Sequence, residues 1–335
     1  MSKKMCLISI WTMVIITATL VTFACLSGCG KAQEKVASGG PKIVTTIFPE
    51  YDWVMNILGD NPAGAEVTML LDNGVDLHSY QPTADDMLKI ATCDMFIYVG
   101  GESDEWVEDA LAEAVNKDMK VIDLLEVLGD SVKEEEIVEG MEGEEEEEES
   151  EEGEEEIEYD EHVWLSLKAA ATVVGYIDAE LEQIDTANAS VYASNAATYI
   201  EKLNALDKEY ESVISAAPVK TVLFGDRFPF RYMTDDYGLD YFAAFVGCSA
   251  ETEASFETVT FLAGKMDELG LNSVLTIEGK DHRIAETIVQ NTKTKDQQIL
   301  TLDSMQSTTS ADVKSGATYM GVMENNLTVL KKALN

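Results

Sequence analysis

Basic residues are scarce in this chain, and so are histidine and cysteine. Its 335 residues hold 23 Lys plus Arg against 63 Asp plus Glu, with three His and five Cys. Nucleic acid is a polyanion bound through clustered Lys and Arg. A chain of formal net charge −40 is repelled by it, which excludes nucleic acid as a partner. An anionic lipid surface is disfavoured on the same ground. Cations are the natural partners of such a field. Enzyme signatures are missing too: there is no His-Glu-x-x-His, no Gly-x-Ser-x-Gly and no Walker-type loop, and Gly279-Lys280 lacks the glycine-rich lead-in. What is present is ordinary globular composition, 46% hydrophobic and 26% charged, at a length that suits about two domains.

The negative charge is concentrated. Residues 134–161 contain 19 Asp or Glu and no Lys or Arg, and removing those charges leaves the rest of the chain at −21. Glycines punctuate the run and apolar residues are few, so it buries too little apolar area to offset its ordering entropy. The expectation is an acidic, disordered loop over 130–160 inserted in a folded domain. It serves either solubility or weak collection of cations beside a site.

The N-terminus reads as an address. Lys3 and Lys4 precede an uncharged stretch from Met5 to Gly30 that is mostly apolar from Leu7 to Leu26. It ends in Leu26-Ser27-Gly28-Cys29, a small residue before a cysteine, which resembles the bacterial lipoprotein signal. That resemblance implies a signal peptide over 1–28, lipidation of Cys29, and a flexible tether over 29–41. The alternative is an uncleaved membrane anchor. Either way, the remainder lies outside the cytoplasm and is tethered to a membrane. Cys6 and Cys25 then leave with the signal, and Cys93 and Cys248 remain. Two cysteines make no disulfide framework, so both are expected as free, buried thiols.

From Lys42 onward, short β-rich runs alternate with helical segments, which argues for parallel sheets with helices on both faces. Strands are expected at 42–47, 66–71, 94–99 and 120–125, then at 219–224, 240–245, 273–277 and 298–302. Thr83 to Asp86 has the capping-box pattern that opens a helix. Ser166 can cap another, with an apolar stripe of Leu167, Ala170, Val173, Val174, Ile177, Leu181 and Ile184. Tyr192, Ala196, Tyr199, Leu203, Leu206, Tyr210 and Val213 form one helical face. A helix carrying all of them outruns a small domain. The fold class is therefore α/β. The N-terminal half spans 42–187, a connecting helix 188–217 and the C-terminal half 218–335.

The three histidines stand in informative places. His78 lies in Gly74-Val-Asp-Leu-His-Ser-Tyr-Gln-Pro82 and His162 in Tyr159-Asp-Glu-His-Val-Trp-Leu165. Asp226 and Asp303 follow strands of the second half. Ligands of open α/β sheets bind beyond the carboxyl ends of the strands. Two imidazoles and two carboxylates suit a divalent transition ion. On spacing alone, scattered loop residues with no common site remain the alternative. His282, after Lys280 and Asp281, reads as a solvated first-turn residue.

These motifs resemble the zinc/manganese-type (ZnuA/TroA-like) solute-binding lipoproteins of ABC transporters. The segment Gly74 to Thr83 is similar to that family's first-ligand motif, and Asp94 to Glu102 followed by Trp106 to its next strand. Asp160 to Leu165 resembles its second-ligand motif, and Leu300-Thr-Leu-Asp303-Ser-Met a late motif whose Asp is a ligand in some members. The likeness covers about 42–334. It implies two lobes, each a four-stranded parallel sheet with helices on both faces, bridged by one long rigid helix. It also implies His78, His162 and Asp303 as ligands of one divalent ion, with a third ligand from the loop after the first strand of the second lobe, zinc being favoured over manganese. The chain would be a monomeric, lipid-anchored receptor and not an enzyme, handing its ion to an ABC permease in the membrane. A gapless match places Arg227 at the third-ligand position, and a guanidinium has no lone pair to donate. Asp226 is the nearest carboxylate, and Glu278 is its rival. A metal-dependent surface hydrolase and a metal-binding adhesin are the competing functions.

Overall fold

In this computed structural model the described residues are 39–142, 158–249, 253–279 and 281–335. The signal peptide, Cys29, most of the tether and the centre of the acidic loop lie outside them.

The first lobe runs β1 (Lys42–Thr45), α1 (Phe48–Leu58), β2 (Glu66–Met69), α2 (Ala84–Thr92), β3 (Met95–Tyr98), α3 (Trp106–Ala112), β4 (Lys120–Asp123) and α4 (Leu124–Leu128). Helix α5 (Leu167–Ile184) then leads into the long α6 (Ala189–Ala216). The second lobe runs β5 (Thr221–Phe228), α7 (Arg231–Tyr237), β6 (Asp240–Val246), α8 (Phe256–Leu269), β7 (Ser273–Thr276), α9 (Arg283–Asn291) and β8 (Gln298–Thr301), closing with α10 (Ser310–Lys314) and α11 (Tyr319–Ala333). Each lobe holds one four-stranded parallel sheet, in the orders β2-β1-β3-β4 and β6-β5-β7-β8. The interior strands are covered on both faces and almost wholly buried, as helix-flanked parallel strands must be, whereas the edge strands β2 and β8 are half exposed.

The 28 residues of α6 span about 42 Å at 1.5 Å per residue. Its buried face is Tyr192, Ala196, Tyr199, Leu203, Leu206, Tyr210 and Ile214. The last fully buried position is Ile214, with Val213 only partly buried, because a 3.6-residue repeat drifts against a strict 4-3 alternation. Helix α5 buries its expected stripe from Leu167 to Leu181, and Ser166 caps it by accepting the Ala169 N–H at 3.1 Å. Thr83 and Asp86 exchange backbone bonds in the capping box at the start of α2.

One hydrophobic core runs through the first lobe, α5, α6 and the facing side of the second sheet, and a smaller one lies beneath α8 and α9. Polar bonds join the lobes across the same seam. Trp164 Nε1 donates to the Ser304 carbonyl at 2.8 Å, Tyr319 Oη to the Trp164 carbonyl at 2.6 Å, and Ser166 Oγ to Asp236 at 2.6 Å.

Two expectations need correction. Strand β5 does not stop at Phe224. A register shift against β6 between Phe224 and Arg227 lets pairing resume, so Asp226 sits in a bulged strand and not in a loop. The ends of the acidic loop are also anchored to the lobes, although Glu134, Glu136, Ile137 and Glu139 remain exposed. Glu134 bridges to Tyr159, Met141 is buried, the Glu142 N–H donates to the Ala244 carbonyl at 2.9 Å, and Glu142 Oε1 accepts the Ser255 N–H at 2.8 Å. Val132, Val138 and Met141 carry enough apolar surface to anchor the flanks to the core.

Candidate metal centre

The same local device aims both site histidines. Asp76 Oδ1 accepts the His78 N–H at 3.1 Å, and Asp160 Oδ1 accepts the His162 N–H at 2.8 Å. An Asp two residues ahead thereby closes an Asx-type turn and fixes the backbone. A short 3₁₀ turn holds His78 (Leu77–Ser79), and another follows His162 (Val163–Leu165).

The two rings converge. Their Nε2 atoms lie 3.2 Å apart, although the residues are 84 positions apart in sequence. His78 Nδ1 is 2.7 Å from Ser103 Oγ and 3.5 Å from Glu161 Oε2. His162 Nδ1 is 3.1 Å from Asp160 Oδ1. These partners assign the proton to Nδ1 in both rings, leaving each Nε2 lone pair facing the other. The side-chain amide of Gln306 fits that assignment, with Nε2 at 2.9 Å from His78 Nε2 and 2.8 Å from His162 Nε2. An NH₂ group has one hydrogen for each lone pair. Burial, then the neighbouring His162, holds His78 far below its usual range, down to about 3, so its ring is neutral.

Cys248, on the turn after β6, completes the cluster. Its sulfur and one ring nitrogen of each histidine all lie within 4.8 Å of one another. A cavity of about 270 Å³ opens beside it, lined by His78, Ser103, Cys248 and the four glutamates Glu102, Glu135, Glu158 and Glu161. Glu161 is buried, its Oε1 accepts the Ser103 N–H at 2.8 Å, and its Oε2 has no hydrogen-bond partner. Burial raises the Glu161 carboxyl and raises Glu135 to about 7. Crowded, desolvated carboxylates around neutral nitrogen donors are an environment that a cation relieves. Glycines make room for the contacts: a Cβ on Gly101, whose φ is +83°, would lie 2.5 Å from Glu161 Oε1, and one on Gly247 would lie 2.9 Å from His162 Cε1.

His78 and His162 are thus brought together as expected. No oxygen of Asp226, Asp303 or Glu278 joins them in a mutually close ligand group among the described residues. Asp226 accepts the N–H groups of Arg227 and Ile277 at 2.9 and 3.2 Å inside the β5 bulge. Asp303 accepts the Met305 N–H at 2.8 Å, and burial and the charge of Glu278 raise it to about 6. Glu278 organises the segment after β8, accepting from Ser304 N and Oγ at 2.6 and 2.8 Å and from Gln306 N at 3.1 Å. Arg227, at the expected third-ligand position, donates to Asp76 Oδ2 at 2.7 Å. His282 is only half exposed, with a buried Nδ1 that lacks a partner. Cys93 is buried and free as expected, but Cys248 is free inside the site, not an inert core thiol. Sequence reasoning did not find Cys248 or Gln306. The Gly247-Cys248 pair just past a strand was the available signal for the first, and Gln306 offered none.

A family model described as "Zinc-uptake complex component A periplasmic" matches residues 43–333. Zinc-binding lipoprotein AdcA of Streptococcus pneumoniae is 33% identical over 301 residues, covering 90% of this chain and 57% of AdcA. High-affinity zinc uptake system protein ZnuA of Bacillus subtilis is 29% identical over 316 residues, covering 93% of this chain and 94% of ZnuA. The Zn(II)-bound ZnuA-like domain of Streptococcus pneumoniae AdcA superposes with a TM-score of 0.68 at 29% identity, over 88% of this chain and 99% of that domain. The chain spans about half the length of the streptococcal relatives, 57%. With the match running through both lobes and both histidine turns, the chain belongs to the ZnuA family.

Proposed function

We propose that this protein is an extracytoplasmic receptor that captures one zinc ion between its lobes and passes it to an ABC permease. The observation that carries this reading is the pair of Nε2 atoms 3.2 Å apart. Two nitrogens bound at 2.0–2.1 Å to one tetrahedral zinc ion lie about 3.3 Å from each other. The rings are already oriented and spaced for that ion, which takes the place of the two N–H donors of Gln306. Asp303 and Glu278 lie one step behind Gln306 as a mutually repelling carboxylate pair, the charge reserve of the second lobe. We assign Asp226 to the β5 bulge, where backbone donors engage both its oxygens. The glutamate-lined cavity draws cations to the rings. The receptor does no chemistry on its cargo.

The names of the relatives support zinc as the cargo and a lipid anchor, here at Cys29, as the tether. The Irving–Williams order and the imidazole donors favour zinc over manganese. Elemental analysis of the protein purified from its own host without added metal tests the cargo. Zinc should account for nearly all bound transition metal, and manganese in excess of zinc would overturn the assignment.

A further inference from the structure

We propose that Cys248 supplies a thiolate ligand from the second lobe to the ion held by His78 and His162. The inference rests on the receptor reading and names the donor that replaces the expected third ligand. Among the His, Cys, Asp and Glu side chains of the described residues, the Cys248 sulfur is the second-lobe donor that groups with a ring nitrogen of both histidines, all within 4.8 Å of one another.

The surroundings of Cys248 are built to hold it there. Arg227 cannot ligate, but its NH2 donates to Asp76 Oδ2 at 2.7 Å and its NH1 to the Ser249 carbonyl at 3.3 Å. Asp76 closes the turn of His78, and Ser249 is the next residue after Cys248. The side chain at the expected third-ligand position therefore clamps the cysteine turn of one lobe to the first-ligand turn of the other. Gly247 lets the Cys248 turn come against the His162 ring, where a Cβ would collide at 2.9 Å. The Cys248 N–H donates to Glu135 and the Glu161 N–H donates to the Cys248 sulfur, while burial, then the carboxylates of Glu161, Asp160 and Glu135, push the metal-free thiol well above its usual range. Glu161 Oε2, buried, without a hydrogen bond and 3.5 Å from His78 Nδ1, lies on a side chain that lines the same cavity and independently marks it as a cation site.

On binding, the S–H bond breaks, a sulfur–metal bond forms, and the proton leaves to water through the glutamate-lined cavity. A sulfur donor at about 2.3 Å is ordinary for zinc and unsuited to manganese, so the cysteine also sets the selectivity.

Cobalt(II) substitution reads this directly, because a thiolate adds a charge-transfer band in the near ultraviolet that nitrogen and oxygen donors do not. The experiment uses the tag-free chain with Cys29→Ser, with and without Cys248→Ser, and Cys93→Ser as the control. The band is expected in the parent and in the Cys93→Ser variant and absent in Cys248→Ser. Zinc affinity in Cys248→Ser should fall by at least the about 10–100-fold that loss of an outer-shell partner costs, with the metal-free melting temperature retained. Cobalt d–d bands without the charge-transfer band, together with zinc affinity in Cys248→Ser within about two-fold of the parent, would overturn the cysteine assignment and leave the receptor reading standing. A parent that binds neither cobalt nor zinc tightly would overturn both.

Discussion

His162 Nδ1 lies 3.1 Å from Oδ1 of Asp160, the same oxygen that accepts the His162 backbone N–H at 2.8 Å. One carboxylate thus sets the position of the ligand residue, its tautomer and the basicity of its far nitrogen. Such outer-shell partners are worth about 10–100-fold in metal affinity. Asp160→Asn should lower zinc affinity by that factor, measured by chelator competition, while the metal-free fold persists. An affinity within two-fold of the parent would show that Asp160 is only a turn residue.

Gln306 should oppose binding. Its amide bonds both Nε2 atoms, and each such bond is worth about 0.5–1.5 kcal/mol net. Gln306→Ala removes about 1–3 kcal/mol of competition, and about 1.4 kcal/mol is tenfold in affinity. Zinc should bind roughly tenfold tighter in calorimetry. Weaker binding would mean that the Gln306 side chain takes part in holding the ion.

Asp52 gives the fold a pH dependence far from the metal. It is buried against α6, accepting from Tyr199 Oη at 3.2 Å and Asn56 Nδ2 at 3.0 Å, and burial raises its carboxyl to about 6. The folded value lies above the unfolded one of about 3.9. Its contribution to stability is therefore complete below about pH 4 and is lost as pH rises through about 6. Asp52→Asn does not titrate, so it should gain on the parent by about 1–3 kcal/mol between pH 4.5 and 7.5 in denaturant unfolding of the metal-free protein. Taking the difference between the two proteins cancels the opposing uptake of a proton by unfolded His78. Parallel profiles would refute the Asp52 argument.

The acidic segment should act outside the tight site. Because Glu134 to Glu142 are built into the lobes, the informative change replaces only residues 143–157, with their eleven glutamates, by a Gly/Ser linker of equal length. Clustered glutamates attract divalent ions through their summed charge. Tight zinc affinity should stay within several-fold, while weak additional binding, which salt suppresses in the parent, disappears. A hundred-fold loss of tight affinity would place a glutamate of this segment on the ion.

The parts of this molecule legible in its sequence are those with a local period. The α5 and α6 stripes and the Thr83 and Ser166 caps follow from 3.6-residue spacing and side-chain acceptors, and the eight strands from runs between turns. The two Asp-x-His turns were readable because each carries its own positioning residue. What escaped depends on distant chain meeting distant chain. Asp226 looked like a loop ligand because a β-bulge has no signature in the residues around it. Cys248 and Gln306 reach the histidines only through the packing of the second lobe on the first. Val138 and Met141 were hidden in a charge run that, on composition alone, does not fold.

Zinc titration calorimetry of the tag-free mature chain and its His78→Ala, His162→Ala double variant tests the central claim most directly. The account predicts one tight site in the parent and none in the double variant, whose circular dichroism should remain that of a folded α/β protein. A tight site of unchanged affinity in the double variant would contradict it.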